Sequence, residues 1–211
     1  MLFCHVTSHI ENEPNDKLFE QKGGGGYPTI MMLDEKGDMI GKHSGERSVA
    51  EFEKTVGKAV RYLDLRKKAE SGDKAAGIDL AIAKLELGSL TADAAQKQIA
   101  ELGTPTPEQQ AQLDAVLLNQ EVMAISKSAG QDRASAGKKF SEMKTAGKIP
   151  TGATEYLTFW DNITVYAEAQ NDVTMFEEAL AKVREKIGQN PSKKKYFETK
   201  EAALKKMKSK K

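Results

Sequence analysis

Apolar and polar positions alternate most tellingly around residues 29–43. Residues 29–33, Thr-Ile-Met-Met-Leu, form a short apolar run opened by Pro28, and a strand tolerates proline only at an edge, a bulge or its first residue. The run therefore predicts a strand starting just after the proline. Residues 34–38, Asp-Glu-Lys-Gly-Asp, are turn formers in which Gly37 is free to take positive φ, and residues 39–43 return antiparallel as the second arm of a hairpin. A helix follows over residues 49–70, with Ser48 and Glu51 as a capping box and Val49, Phe52, Val56, Ala59, Val60 and Leu63 as its expected apolar face. Upstream, residues 1–7 read as a strand buried on both faces and residues 8–15 as a loop holding Pro14. Asn15 or Asp16 is placed to cap a short helix that buries Leu18 and Phe19.

Beyond residue 71 the pattern changes to Ala, Lys, Glu, Gln and Leu at helical spacing, broken at short intervals. One helix carries Ile78, Ile82, Leu85 and Leu87 and stops at Gly88. The next is capped by Thr91 and turns Ala94, Ala95, Ile99 and Leu102 inward. Thr106 then caps a long helix with proline in its first turn and Leu113, Val116, Leu117, Val122, Met123 and Ile125 on its apolar side. Residues 132–146 contribute Ala136, Phe140 and Met143. Tyr156, Leu157, Phe159, Trp160, Ile163 and Tyr166 form an aromatic centre, and Met175, Phe176, Leu180, Val183 and Ile187 a further amphipathic face that ends at residues 188–191.

Residues 18–45, LFEQKGGGGYPTIMMLDEKGDMIGKHSG, followed by Ser48-x-x-Glu51-Phe52, resemble the C-terminal half of a thioredoxin fold. The shared pattern is a helix end, Gly-x-x-Gly-Tyr-Pro-Thr, strand, turn, strand and helix, over about the first third of the chain. Lys22 and Gly24 replace an aromatic and an apolar residue, which loosens the loop. The Cys-x-x-Cys is missing, with the strand and helix that would carry it. What the resemblance implies is a cis Tyr27–Pro28 bond whose preceding backbone docks an extended chain, so Tyr27 and Pro28 are the peptide-binding candidates. A turn kept because the hairpin needs it is the alternative for this dipeptide. The missing strand is central in that fold, and removing it leaves a gap of roughly twice 4.8 Å. The expectation is that the reading frame starts late. Direct pairing of the flanking strands, or a substitute segment, are the other solutions. Separately, residues 176–191 resemble the second helix of a tetratricopeptide repeat, with no second copy evident.

The fold class expected is therefore α+β, a partial thioredoxin-like sheet with helices over residues 1–70, followed by an all-α helical-hairpin domain over residues 71–211 with a basic tail at residues 192–211. Composition narrows the chemistry. A chain of 211 residues with a net charge of +1 exerts no global pull on nucleic acid or acidic lipid. It has no apolar run long enough to span a membrane, and reads as soluble; its compartment and oligomeric state stay open. One cysteine, Cys4, cannot form a dithiol couple, and in a strand it reads as packed and unreactive. His5, His9 and His43 lack metal-pair spacing. The glycine run at residues 23–26 leads into a strand rather than a helix, so it is no phosphate loop. No metal, cofactor or catalytic residue is expected. Lysines 193, 194, 195, 200, 205, 206, 208, 210 and 211 face only Glu198 and Glu201. Without aromatic platforms they read as a solvated, fraying end rather than a nucleic-acid surface. The functional expectation is a thioredoxin-like relative of thiol-disulfide oxidoreductases that binds peptide or protein, enzymatic only if a Cys-x-x-Cys precedes Met1. A non-enzymatic helical-repeat scaffold is the alternative.

Overall fold

A computed structural model of the chain describes residues 17–22, 24, 29–43, 48–188 and 191–209. The strand expected at residues 1–7, Cys4, His5, His9, Asn15, Asp16, and the Tyr27–Pro28 pair lie outside the described residues. The described elements run α1 (Leu18–Gln21), β1 (Met31–Leu33), β2 (Met39–Lys42), α2 (Val49–Glu70), α3 (Lys74–Glu86), α4 (Ala92–Leu102), α5 (Pro107–Ala129), α6 (Arg133–Thr145), α7 (Ala153–Ala169), α8 (Val173–Ile187) and α9 (Lys194–Lys208). A small β part thus precedes a helical majority. The chain divides into two compact units, Met1–Gln109 and Gln110–Lys211, and the division falls near the start of α5.

In the first unit β1 and β2 pair antiparallel, Met31 opposite Lys42 and Met32 opposite Gly41, with a register shift before Leu33. The hairpin lies on α2, where a Cβ built on Gly41 would stand 3.3 Å from the Ala59 methyl. Ile40, Ala59, Tyr62, Leu65, Ala76 and Leu80 make the core of this unit, joined by Met32. One expectation needs correcting here. The inward face of α2 is Thr55, Ala59, Tyr62 and Leu65, whereas Val49, Val56 and Val60 are exposed. Both stripes recur at helical spacing, and the bulky Tyr62 and Leu65 claim the side that the hairpin and α3 can cover. The α1 helix has Lys17 at its N-cap position, with no cap hydrogen bond from the Lys17 side chain.

Three helix junctions share one construction. The chain leaves α2 through Gly72, α5 through Gly130 and α7 through Asn171, each at positive φ. Asp73, Asp132 and Asp172 then cap α3, α6 and α8 by accepting the N–H of Ala76, Ser135 and Met175. At Gly72 and Asn171 the closure is the same: the left-handed residue and the following Asp donate to Ala69 and Lys68, and to Glu168 and Ala167. Between units of this kind, Thr106 and Gln109 form a reciprocal capping box at the head of α5, with N···O distances of 3.2 and 3.1 Å. The buried Gln109 also donates to Ala75 O and to Asp79 Oδ1 at 2.7 Å, contacts that stay within the first unit.

The second unit packs α6 on α7 and α7 on α8 around Phe140, Phe159, Trp160, Ile163 and Val183, with Val122 from α5. Met123, expected inside, is exposed. The tail corrects a further expectation. Residues 194–208 are a helix that buries Met207 and packs Tyr196, Phe197, Ala203 and Leu204 against Phe176, Ala167 and Leu180. Its apolar residues fall on one side of the helix, within about 120°, among the lysines, so burial rather than charge decides its state.

Candidate functional site

Two places in the described chain gather chemistry, one in each unit. In the first, the hairpin turn is held from behind. Asp34 Oδ1 accepts the N–H groups of Lys36 and Asp38 at 2.9 and 2.8 Å, and its Oδ2 takes Arg66 Nη1 of α2 at 2.5 Å. The Asp34 side chain is 1% exposed. The Arg66 guanidinium, and then the Asp38 amide, hold its carboxyl below the ordinary range. Gly37 turns at φ +78°, and Lys22 Nζ caps its carbonyl at 2.5 Å.

At the other end of the hairpin His43 stacks on Phe52, ring centroids 4.2 Å apart and nearly parallel. Its Nδ1 lies 2.9 Å from Thr55 Oγ1. Thr55 spends its own hydroxyl proton on Glu51 O at 3.0 Å, so the imidazole proton sits on Nδ1 and donates to Thr55. His43 is therefore a packed side chain joining β2 to α2. Beside it runs the outward row of α2: Val49 at 76%, Val56 at 48% and Val60 at 61% exposure, with Phe52 and Leu63 half-buried along the same side. This is the one continuous apolar surface on α2 that no described element covers, and single exposed valines need no explanation where a row does.

The second place centres on Asp161 of α7. Arg133 of α6 donates through Nη2 to Asp161 Oδ2 at 2.5 Å and through Nε to Asn162 Oδ1 at 3.1 Å. Tyr196 of α9 donates to Asp161 Oδ1 at 2.6 Å. Lys200, one turn further on, donates to Thr164 Oγ1 at 2.8 Å and stands 3.8 Å from Asp161. Its ammonium lies 5.8 Å from the ring centres of both Phe176 and Tyr196. Burial by itself raises Asp161, but the Tyr196 and Arg133 hydrogen bonds outweigh it and hold the carboxyl below its ordinary range. Burial, then the bond to Asp161, pushes the Tyr196 phenol up. Burial lowers Lys200 against the pull of Asp161.

A lysine with a lowered pKa invites a catalytic reading, and the geometry argues against one. Both Asp161 oxygens are committed to Arg133 and Tyr196, and Thr164 gives its proton to Asp161 O at 2.7 Å while accepting from Lys200. With Arg184–Glu201 and Lys208–Glu177 at 2.6 Å each, the cluster acts as a clamp that fixes α9 onto α7 and α8. Trp160 Nε1 nearby is buried without a hydrogen-bond partner. Among the described residues no three His, Cys, Asp or Glu side chains gather as a metal site, and no helix is long and apolar enough to cross a membrane.

Of the residues singled out in the sequence, His43 alone among the histidines is described, and it serves packing. Tyr27 and Pro28 lie outside the described residues. The sequence reading passed over Asp161 and Tyr196 and took Lys200 as part of a solvated end. Their signal was the i, i+4 pair Tyr196 and Lys200 on the apolar side of a lysine-rich segment, hidden by the charge around it. No protein-family model, no curated protein and no solved structure matches this chain.

Proposed function

We propose that the chain is a non-catalytic protein-binding module of thioredoxin-like descent, with helices α3 to α9 as its scaffold. The kinship rests on the Tyr-Pro-Thr segment and on the order strand, turn, strand, capped helix, with β1, β2 and α2 falling where that order puts them. The binding role rests on a single observation, the exposed row of Val49, Val56 and Val60 on α2 that no described element covers. A surface helix does not ordinarily present a second apolar stripe to water, and association is the usual reason for one. With one cysteine in the sequence, dithiol exchange within the chain has no second sulfur to use.

The test compares the intact chain with Val56→Asp/Val60→Asp, both immobilised, with retained proteins identified by mass spectrometry. The reading expects proteins held by the intact chain and lost from the variant while the helical circular dichroism of the two is the same. Identical retention by both, or none by either, refutes it. The repeated Asp-capped junctions at Asp73, Asp132 and Asp172 favour a second reading, in which the helical hairpins bind; partners kept by the valine variant but lost from a chain altered on α6 to α8 would support that reading instead.

A further inference from the structure

We infer that the outward face of α9 is a docking surface for the phosphate backbone of duplex DNA, with two pairs of lysines set across a groove. This surface is separate from the valine row of α2, and charge and spacing carry the assignment. Lys194, Lys195, Lys205 and Lys206 are all exposed. At about 100° per residue the four fall within an arc of about 120°. The second pair follows the first by eleven residues, which is about 16 Å along the axis and about 20° around it. Among the described residues Lys195, Lys205 and Lys206 enter no ion pair, and Lys194 has only Glu198 at 3.9 Å, both side chains being exposed. Glu201 is spent on Arg184 of α8, and Lys208 on Glu177.

A fraying end would spread these charges, whereas the burial of Met207 and the bond from Tyr196 to Asp161 fix them on one side of an ordered helix. The helix itself does not call for them: Lys193, Lys194 and Lys195 stand at its N-terminal end, where the helix dipole disfavours cations. Residues 110–211 carry 18 lysines and arginines against 13 aspartates and glutamates, so the positive surplus lies in the unit that holds α9. Geometry selects the anion. The major groove of B-DNA is about 12 Å wide between its phosphate rows, so lysine pairs about 16 Å apart reach one row each. Glu198 and Ala202, between the pairs on the same face, then lie over the open groove. On a flat acidic bilayer Glu198 would be pressed against lipid phosphate, and this face has no apolar side chain larger than Ala202 to insert. It carries no aromatic, amide or arginine side chain to read base edges, so the contact is to backbone and independent of sequence.

The experiment is fluorescence anisotropy of a labelled duplex of about 20 base pairs titrated with the full chain, at salt from about 20 to about 80 mM. The expected result is binding with Kd below about 100 µM at the low end of salt, weakening about 150-fold across the range, because four phosphate contacts give a slope of log K on log salt of about −3.6. Lys205→Gln/Lys206→Gln removes one pair and should reduce that salt effect to about 12-fold, a slope of about −1.8, with helical circular dichroism unchanged. Lys138→Gln/Lys139→Gln, which removes two exposed lysines of α6, should leave the salt effect as it was. Vesicles with about 30% phosphatidylserine, at equal phosphate, should bind more weakly than the duplex. Absence of duplex binding at low salt overturns the inference, as does a salt slope that the Lys205/Lys206 variant leaves unchanged or the Lys138/Lys139 variant lowers equally. Tighter binding to the vesicles than to the duplex overturns it in favour of a membrane surface.

Discussion

Gly137 of α6 tests the packing of the second unit through one methyl group. A Cβ built at this buried position would lie 2.1 Å from Asn162 O, 2.8 Å from Asn162 C and 2.7 Å from Tyr166 Cβ, all on α7. The nearest obstacle is backbone, so no side-chain rotation relieves it, and restoring normal contact requires the helices to part by roughly 1 Å. Overpacking of this kind costs about 1–3 kcal/mol. A backbone collision belongs at the upper end, and alanine returns about 1 kcal/mol through helix propensity. Gly137→Ala is thus expected to destabilise by about 2 kcal/mol, or on the order of 10 °C in Tm for a unit of this size. Urea unfolding followed by circular dichroism should show a lower midpoint at unchanged slope. Gly57→Ala is the matched control: α2 has open space there, and the same change should stabilise by up to about 1 kcal/mol. If Gly137→Ala raises the midpoint as the control does, α6 and α7 do not cross at Gly137.

Other outcomes follow from the same contacts. Asp161→Asn should cost about 2 kcal/mol, since it leaves Arg133 and Lys200 facing a neutral group. Because the folded carboxyl titrates below its unfolded value, the parent chain should hold this stability above about pH 4 and lose it as pH falls through the folded pKa, an acid limb that Asp161→Asn lacks in pH-dependent melts. Asp73→Ala and Asp172→Ala should each cost about 1 kcal/mol, read from urea midpoints, if these caps close their junctions. Arg66→Met should raise the Asp34 pKa, seen in carbon-13 titration, and speed amide exchange at Lys36 and Asp38 as the hairpin turn loses its support on α2.

The hairpin was legible because its signals are local: a proline, an Asp-x-x-Gly turn and two apolar arms predict β1 and β2 to within two residues at the ends. The capped starts at Ser48, Thr91 and Thr106 were legible for the same reason, each being a side chain reading its own backbone three residues on. Which stripe of α2 faces inward was not, since two apolar stripes compete on one helix and only the tertiary placement of the hairpin and α3 decides between them. The recurrence of Asp73, Asp132 and Asp172 was hidden because the elements between them differ in length, which defeats a fixed-period search. Lys200 was read as solvated because its charge outweighs, in sequence, the aromatic rings of Phe176 and Tyr196 that receive it in space.

Whether α2 turns Val56 and Val60 to solvent is read most directly by thiol labelling of Val60→Cys and Ala59→Cys, each in a Cys4→Ser background, in solution dilute enough to suppress association. Val60→Cys is expected to react nearly as fast folded as unfolded, and Ala59→Cys to be protected by about 100-fold, since Ala59 is 4% exposed against 61% for Val60. Protection of Val60→Cys in the dilute folded chain would contradict the outward valine row and the binding role built on it.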